Sequence, residues 1–148
     1  MPRQVLMSLH KPVFLDDVLT LFRAKVGPVT TIFDGTFGRG GHTRAMMNEW
    51  PEAKLFAFDW DEDAIAYGHE NFKDEIAAGR LTLIRSNYSD FAKVRSQLPE
   101  VGFDLMLLDL GVSSPQLDRA ERGFSFYHDG PLDMRMDRRQ ELTAAEIC

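Results

Sequence analysis

The stretch TIFDGTFGRGGHT, Thr31–Thr43, decides how the rest of the chain reads. A β-branched run from Val29 to Phe33 ends at a carboxylate, Asp34, and four glycines follow within seven residues, Gly35 to Gly41. A strand that hands over to a glycine-rich turn and then to a helix is the opening of a βαβ unit. The helix is expected from about Gly41 to Trp50, where Pro51 stops it.

Working outward, the alternation continues on both sides. Upstream, Phe14, Leu15, Val18, Leu19 and Phe22 mark an amphipathic helix over Pro12–Phe22, ended by Gly27-Pro28. Downstream, Lys54–Asp59 reads as strand two. Asp61–Ala78 reads as one helix with Asp61, Glu62 and Asp63 at its positive end. Leu81–Arg85 is strand three and Asp90–Leu98 a further helix; Phe103–Leu110, apolar on both faces, is expected as a buried fourth strand. Strands alternating with helices through right-handed crossovers give an α/β fold, a doubly wound parallel sheet that four strands leave incomplete. Ligands of such sheets sit at the carboxyl ends of the strands. Asp34, Asp59, Tyr88 and Asp109 all fall at or just past those ends.

Composition narrows the class. With 148 residues and 44% apolar content the chain fits one globular domain and is not disordered. No apolar run approaches the ~18 residues of a membrane span, and the opening residues lack a signal-peptide core. The single cysteine, Cys148, excludes an intrachain disulfide and suits a reducing cytoplasm. A net charge of -6 argues against a free-standing nucleic-acid binder, but leaves room for an enzyme that touches nucleic acid over a local patch. His10, His42, His69 and His128 show no metal-ligand spacing, so no metal is expected.

Four readings compete for the glycine loop. A P-loop requires Lys after the last glycine, and His42 stands there. A dinucleotide fingerprint is matched by Gly38 and Gly40 but meets Thr43 at its third glycine. The others are S-adenosylmethionine and a plain tight turn. Asp34 discriminates: two like charges ~5 Å apart at an effective dielectric of ~20 repel by about 3 kcal/mol, which disfavours a pyrophosphate beside it. An ammonium and a sulfonium would instead be attracted, or held by backbone amides that the carboxylate organises. A purely bracing Asp34 is the competing reading. Asp59 is placed to accept ribose hydroxyls; in the competing reading Asp61 or Asp59 caps the next helix. Tyr88 could cover an adenine face.

After strand four, DLGVSSPQLDRAERGFSFYHDGPLDMRMD (Asp109–Asp137) is long and irregular, as functional loops are. Methylating an exocyclic amine needs an acceptor for its N–H, because the lone pair is delocalised into the ring; Asp109, Ser113 and Ser114 are candidates. Phe124 and Phe126 are expected as core residues beneath this loop, though its aromatics, Tyr127 included, could stack on an extruded base.

HKPVFLDDV, DGTFGRGGHT, FDWDEDAI and above all the Asp109–Asp137 segment resemble the bacterial 16S rRNA (cytosine-N4)-methyltransferases of the RsmH/MraW type. The resemblance runs from His10 to Glu146. It implies a class I methyltransferase fold, Rossmann-like, using S-adenosylmethionine to modify a cytidine in the decoding region of 16S rRNA within the small ribosomal subunit. It places Gly40, Gly41 and His42 at the methionine end, Asp59 at the ribose and Tyr88 by the adenosine, with Asp109 and Gln116 completing the cofactor site. It further implies that residues 1–142 are the N-terminal part of the cofactor domain. Residues 143–148, where Thr143 and Glu146 form a capping-box pattern, would begin a helical insertion that is cut off. The 148 residues alone are then expected to be inactive. The alternative is a truncated, non-catalytic module that binds the cofactor or a ribosome-assembly partner. A nicotinamide-dependent dehydrogenase is a third reading, disfavoured by Asp34.

Overall fold

The computed structural model describes residues 12–25 and 27–148; His10 and the opening stretch read for a signal peptide lie outside the described residues. The strands β1 (Thr31–Asp34), β2 (Lys54–Asp59), β3 (Leu81–Arg85) and β4 (Leu105–Leu107) form one parallel sheet in the order β3-β2-β1-β4. The chain moves outward from β1 through β2 to β3, then returns to place β4 on the other side of β1. That reversal opens a crevice at the carboxyl end of β1, where doubly wound sheets bind ligands.

Strand alternation sends side chains to two cores. Ile32, Leu55, Ala57, Leu81 and Leu105 face one side, with Phe37, Met46, Met47 and Phe72. Here α2 (Gly41–Glu49), α3 (Glu62–Asn71) and α4 (Lys73–Ala77) cover the sheet, while α1 (Leu15–Lys25) docks on α2 through Phe22 against Trp50 and Arg23 hydrogen-bonded to Glu49 at 2.6 Å. Phe33, Phe58 and Ile84 face the other side, with Leu98. There a 3-10 segment, Tyr88–Gln97, lays Phe91 against Phe33 at 5.5 Å, and Phe103 closes the cluster at 5.2 Å from Phe33. Each fully buried ring of this kind contributes about 1.5–3 kcal/mol of transfer free energy.

The structure departs from the sequence expectations at several points. The helix expected over Asp61–Ala78 breaks at Phe72, whose backbone leaves the helical region and whose buried ring packs on Phe37 at 5.4 Å. Helix α1 starts at Leu15 because Phe14 adopts φ 53°, and the segment after β3 is 3-10 rather than α. Strand β4 is short and half uncovered: Leu105 is buried, but Met106, Leu108 and Leu110 are 56%, 46% and 68% exposed. The apolar run predicts burial on both faces; among the described residues no strand pairs with its outer edge, and Met106 stays more than half exposed. Beyond it come α5 (Ser114–Asp118), a 3-10 turn at Ala120–Arg122 and α6 (Ala144–Ile147), whose Thr143–Glu146 capping box forms as expected.

Candidate functional site

The glycine loop is stapled to both neighbours of β1. Gly35 N–H donates to the carbonyl of Leu107 on β4 at 2.9 Å, and Phe37 N–H to that of Phe58 on β2 at 2.9 Å. Asp34, fully buried at the end of β1, accepts the Thr36 N–H at 3.1 Å and the Thr43 hydroxyl at 2.6 Å. Burial pushes its pKa up, against the pull of those two hydrogen bonds. Asp34 therefore acts through the loop it braces. Gly38 and Gly40 both adopt left-handed φ, 55° and 70°, but differ in surroundings. A Cβ on Gly38 would meet nothing closer than 3.9 Å, whereas one on Gly40 would lie 2.5 Å from the Phe72 ring. Gly41 is likewise closed by Pro12. Gly38 faces open space; Gly40 and Gly41 are glycines because protein packs against them.

Asp59, at the end of β2, ties the loop to the next turn. Its oxygens accept Gly38 N–H at 2.8 Å and Asp61 N–H at 2.9 Å. Burial raises its pKa, and the Asp61 charge adds to the rise. With Trp60 N–H also nearby, the carboxylate keeps lone-pair capacity for a further donor. The helix cap is Asp61, which accepts Asp63 N–H at 3.0 Å. Across the crevice, Asp109 donates its N–H to the Thr36 hydroxyl at 2.8 Å and sets its half-exposed carboxylate 3.6 Å from His42 Nε2. His42 is 8% exposed and its Nδ1 is buried without a hydrogen-bond partner. Arg39, the loop's cation, stacks 4.4 Å over the Tyr67 ring.

The segment after β4 is latched to this edge by charge. Arg122, 3% exposed, donates from Nη2 to Asp61 at 2.7 Å and to the carbonyls of Arg135 and Met136, both at 3.2 Å. Its Nη1 reaches Asp63 at 3.0 Å, and Arg119 reaches the same carboxylate at 2.6 Å. Burial pushes the Asp61 pKa up, but hydrogen bonds from Arg122, Gln116 and Asp63 outweigh it, and the net shift is downward. Arg85 at the end of β3 meets Asp137 at 3.3 Å, and Trp60 Nε1 donates to Met136 Sδ at 3.2 Å.

Asp34, Gly38, Gly40, Gly41, His42, Asp59 and Asp109 thus converge on one rim. Gln116, buried, reaches it through Asp61, to which Nε2 donates at 2.7 Å, while Oε1 accepts the Ser113 N–H at 2.9 Å. Ser113 and Ser114 stand partly buried at the start of α5, and Tyr88 stands 40% exposed just past β3. Phe124 is buried as expected, whereas Phe126 is 100% exposed, which corrects its reading as a core residue. Sequence reasoning placed Asp61 and Asp63 only at a helix start and passed over Arg119 and Arg122, which bind them. The acids cluster in DWDED and the arginines in DRAER, but nothing in either stretch alone pairs one with the other.

Comparison with known proteins agrees with this architecture. Two proteins named ribosomal RNA small subunit methyltransferase H resemble it: one from Bdellovibrio bacteriovorus is 48% identical over 136 residues, covering 91% of this chain and 40% of the relative. One from Ruthia magnifica is 43% identical over 144 residues, covering 96% and 45%. The chain therefore spans less than half the length of these relatives. The crystal structure of a provisionally named rRNA methylase from Clostridium thermocellum superposes with TM-score 0.54 at 21% identity, over 67% of this chain and 52% of that one, and supports the Rossmann-like class I fold. The model of the MraW methylase family matches residues 7–148, and the chain belongs to that family.

Proposed function

We propose that this chain carries the cofactor-binding part of an S-adenosylmethionine-dependent methyltransferase acting on N4 of a cytidine in the decoding region of 16S rRNA, within the small ribosomal subunit in the cytoplasm. In this reading residues 1–142 belong to the cofactor domain and 143–148 begin a helical insertion, and the 148 residues alone do not turn over. The carrying observation is the acidic rim: Asp59 and Asp109 flank a loop whose cation, Arg39, is turned onto Tyr67. Such a rim fits a sulfonium and an ammonium better than a diphosphate. The open side of Gly38, the spare lone pairs of Asp59 and the orphaned Nδ1 of His42 fit the same group.

When bound, the cofactor supplies an electrophilic methyl group. The chain's own residues do the rest. Asp59 orients the ribose, Gly40 to His42 receive the amino-acid end and Tyr88 lies beside the adenosine. Gln116 holds its edge through Asp61. Asp109 offers a carboxylate to the amine N–H, localising its lone pair, with Ser113 and Ser114 as neighbouring acceptors.

Calorimetric titration with adenosylhomocysteine tests the cofactor assignment. Asp59→Ala is expected to weaken binding by ~1–3 kcal/mol, the scale of a lost charged hydrogen-bond partner. Absence of binding to the folded wild-type chain would overturn it. Nucleoside mass spectrometry of small subunits treated with a longer form of the protein separates N4-methylcytidine from other methylated products.

A further inference from the structure

The loop between Gly123 and Gly130 holds two neighbouring rings in solvent. Phe126 is 100% and Tyr127 94% exposed, while Phe124 is buried beneath them in the chain. The loop's root is closed main chain against main chain. Gly123 has φ 77°, and a Cβ there would meet the Pro131 carbonyl and lie 2.8 Å from the Asp133 nitrogen; a Cβ on Gly130 would strike the Ala120 carbonyl. Arg122, which grips Asp61, directly precedes the loop, and Met134 N–H returns to the Arg122 carbonyl at 3.0 Å. At the tip Ser125 Oγ accepts the N–H groups of Tyr127 and His128, both at 3.2 Å. The rings are therefore presented from a frame fixed to the cofactor rim.

We propose that Phe126 and Tyr127 form a stacking surface for an unpaired nucleobase of the RNA substrate; this deepens, and rests on, the rRNA reading above. Aromatic faces stack on any base, typically worth about 5- to 150-fold in affinity per base. Phosphate contacts contribute less here, because four arginines of the segment and its neighbours are already paired: Arg119 with Asp63, Arg122 with Asp61, Arg135 with Asp133 and Arg139 with Asp137. At the loop tip the two rings stand apart in sequence from other exposed apolar residues of the segment, such as Leu117, Leu132 and Met134, and are followed by the polar His128 and Asp129; a pair of aromatic faces is the surface that a base needs.

The test uses a single-stranded RNA oligonucleotide carrying 2-aminopurine, whose fluorescence is quenched on stacking. The wild-type chain is expected to quench it saturably, with a shallow dependence on salt. The double variant Phe126→Ala, Tyr127→Ala is expected to bind about 5- to 150-fold more weakly, and Phe126→Trp to retain binding. Thermal midpoint and adenosylhomocysteine affinity should stay unchanged in both variants, since the rings touch only solvent, and this separates failure here from failure of the cofactor assignment. No quenching by the wild type, or equal RNA affinity in the double variant, overturns the proposal.

Discussion

The glycine loop and the segment from Asp109 to Asp137 meet at one rim, yet they are built from different forces. The loop is main chain fastened to main chain, with Asp34 and Asp59 accepting backbone donors and rings closing around Gly40. The segment carries its apolar residues largely outward and is held by guanidinium–carboxylate pairs, among which Arg122–Asp61 is dry. A loop of the first kind depends on shape. A segment of the second kind depends on charge.

The largest expected effect breaks the second region. Arg122→Met leaves Asp61 buried without its cation and should destabilise by about 3–5 kcal/mol in urea unfolding. In an Asp61→Asn background the same change should cost far less, since no charge is then stranded. Equal costs in the two backgrounds would show that Arg122 acts through packing alone. The first region breaks by shape: Gly40→Ala forces a left-handed backbone and a clash with Phe72, together about 2–4 kcal/mol. The same unfolding measurement checks it, and a cost under ~0.5 kcal/mol would refute the close packing described.

The contrast also explains what was legible. Strands β1 to β3 and the glycine loop announce themselves through local signals: β-branched runs, glycines and strand-end acids within a few residues of one another. Asp61–Arg122 joins residues 61 positions apart, and no local pattern reports such a pair. Leu105 to Leu110 misled for a related reason: an apolar run predicts burial only where another element arrives to cover it. Likewise Phe124 and Phe126 share a motif but not a fate, because the turn at Ser125 sends them to opposite environments. Phe72 broke an otherwise continuous helical pattern because a tertiary contact with Phe37 outweighed helix propensity.

The smallest effect separates the two regions by acid. Arg139, with Arg85 of β3 adding to it, holds Asp137 at a pKa of about 2. A depressed folded-state pKa contributes stability that is complete above the ordinary carboxylate range and disappears as pH falls through about 2. Burial shifts Asp34 and Asp59 the other way, so their folded forms bind protons more tightly than the unfolded chain, and their contribution rises as pH falls toward the ordinary carboxylate range. Acidification from ~5 toward ~2 should therefore loosen the segment first, by less than about 1 kcal/mol per partly exposed pair. Trp60, bonded to Met136, reports that release by fluorescence in a Trp50→Phe background, and amide exchange at Thr36 and Gly38 reports the loop. If the loop amides lose protection at a higher pH than the one where Trp60 emission changes, charge is not what distinguishes the two regions.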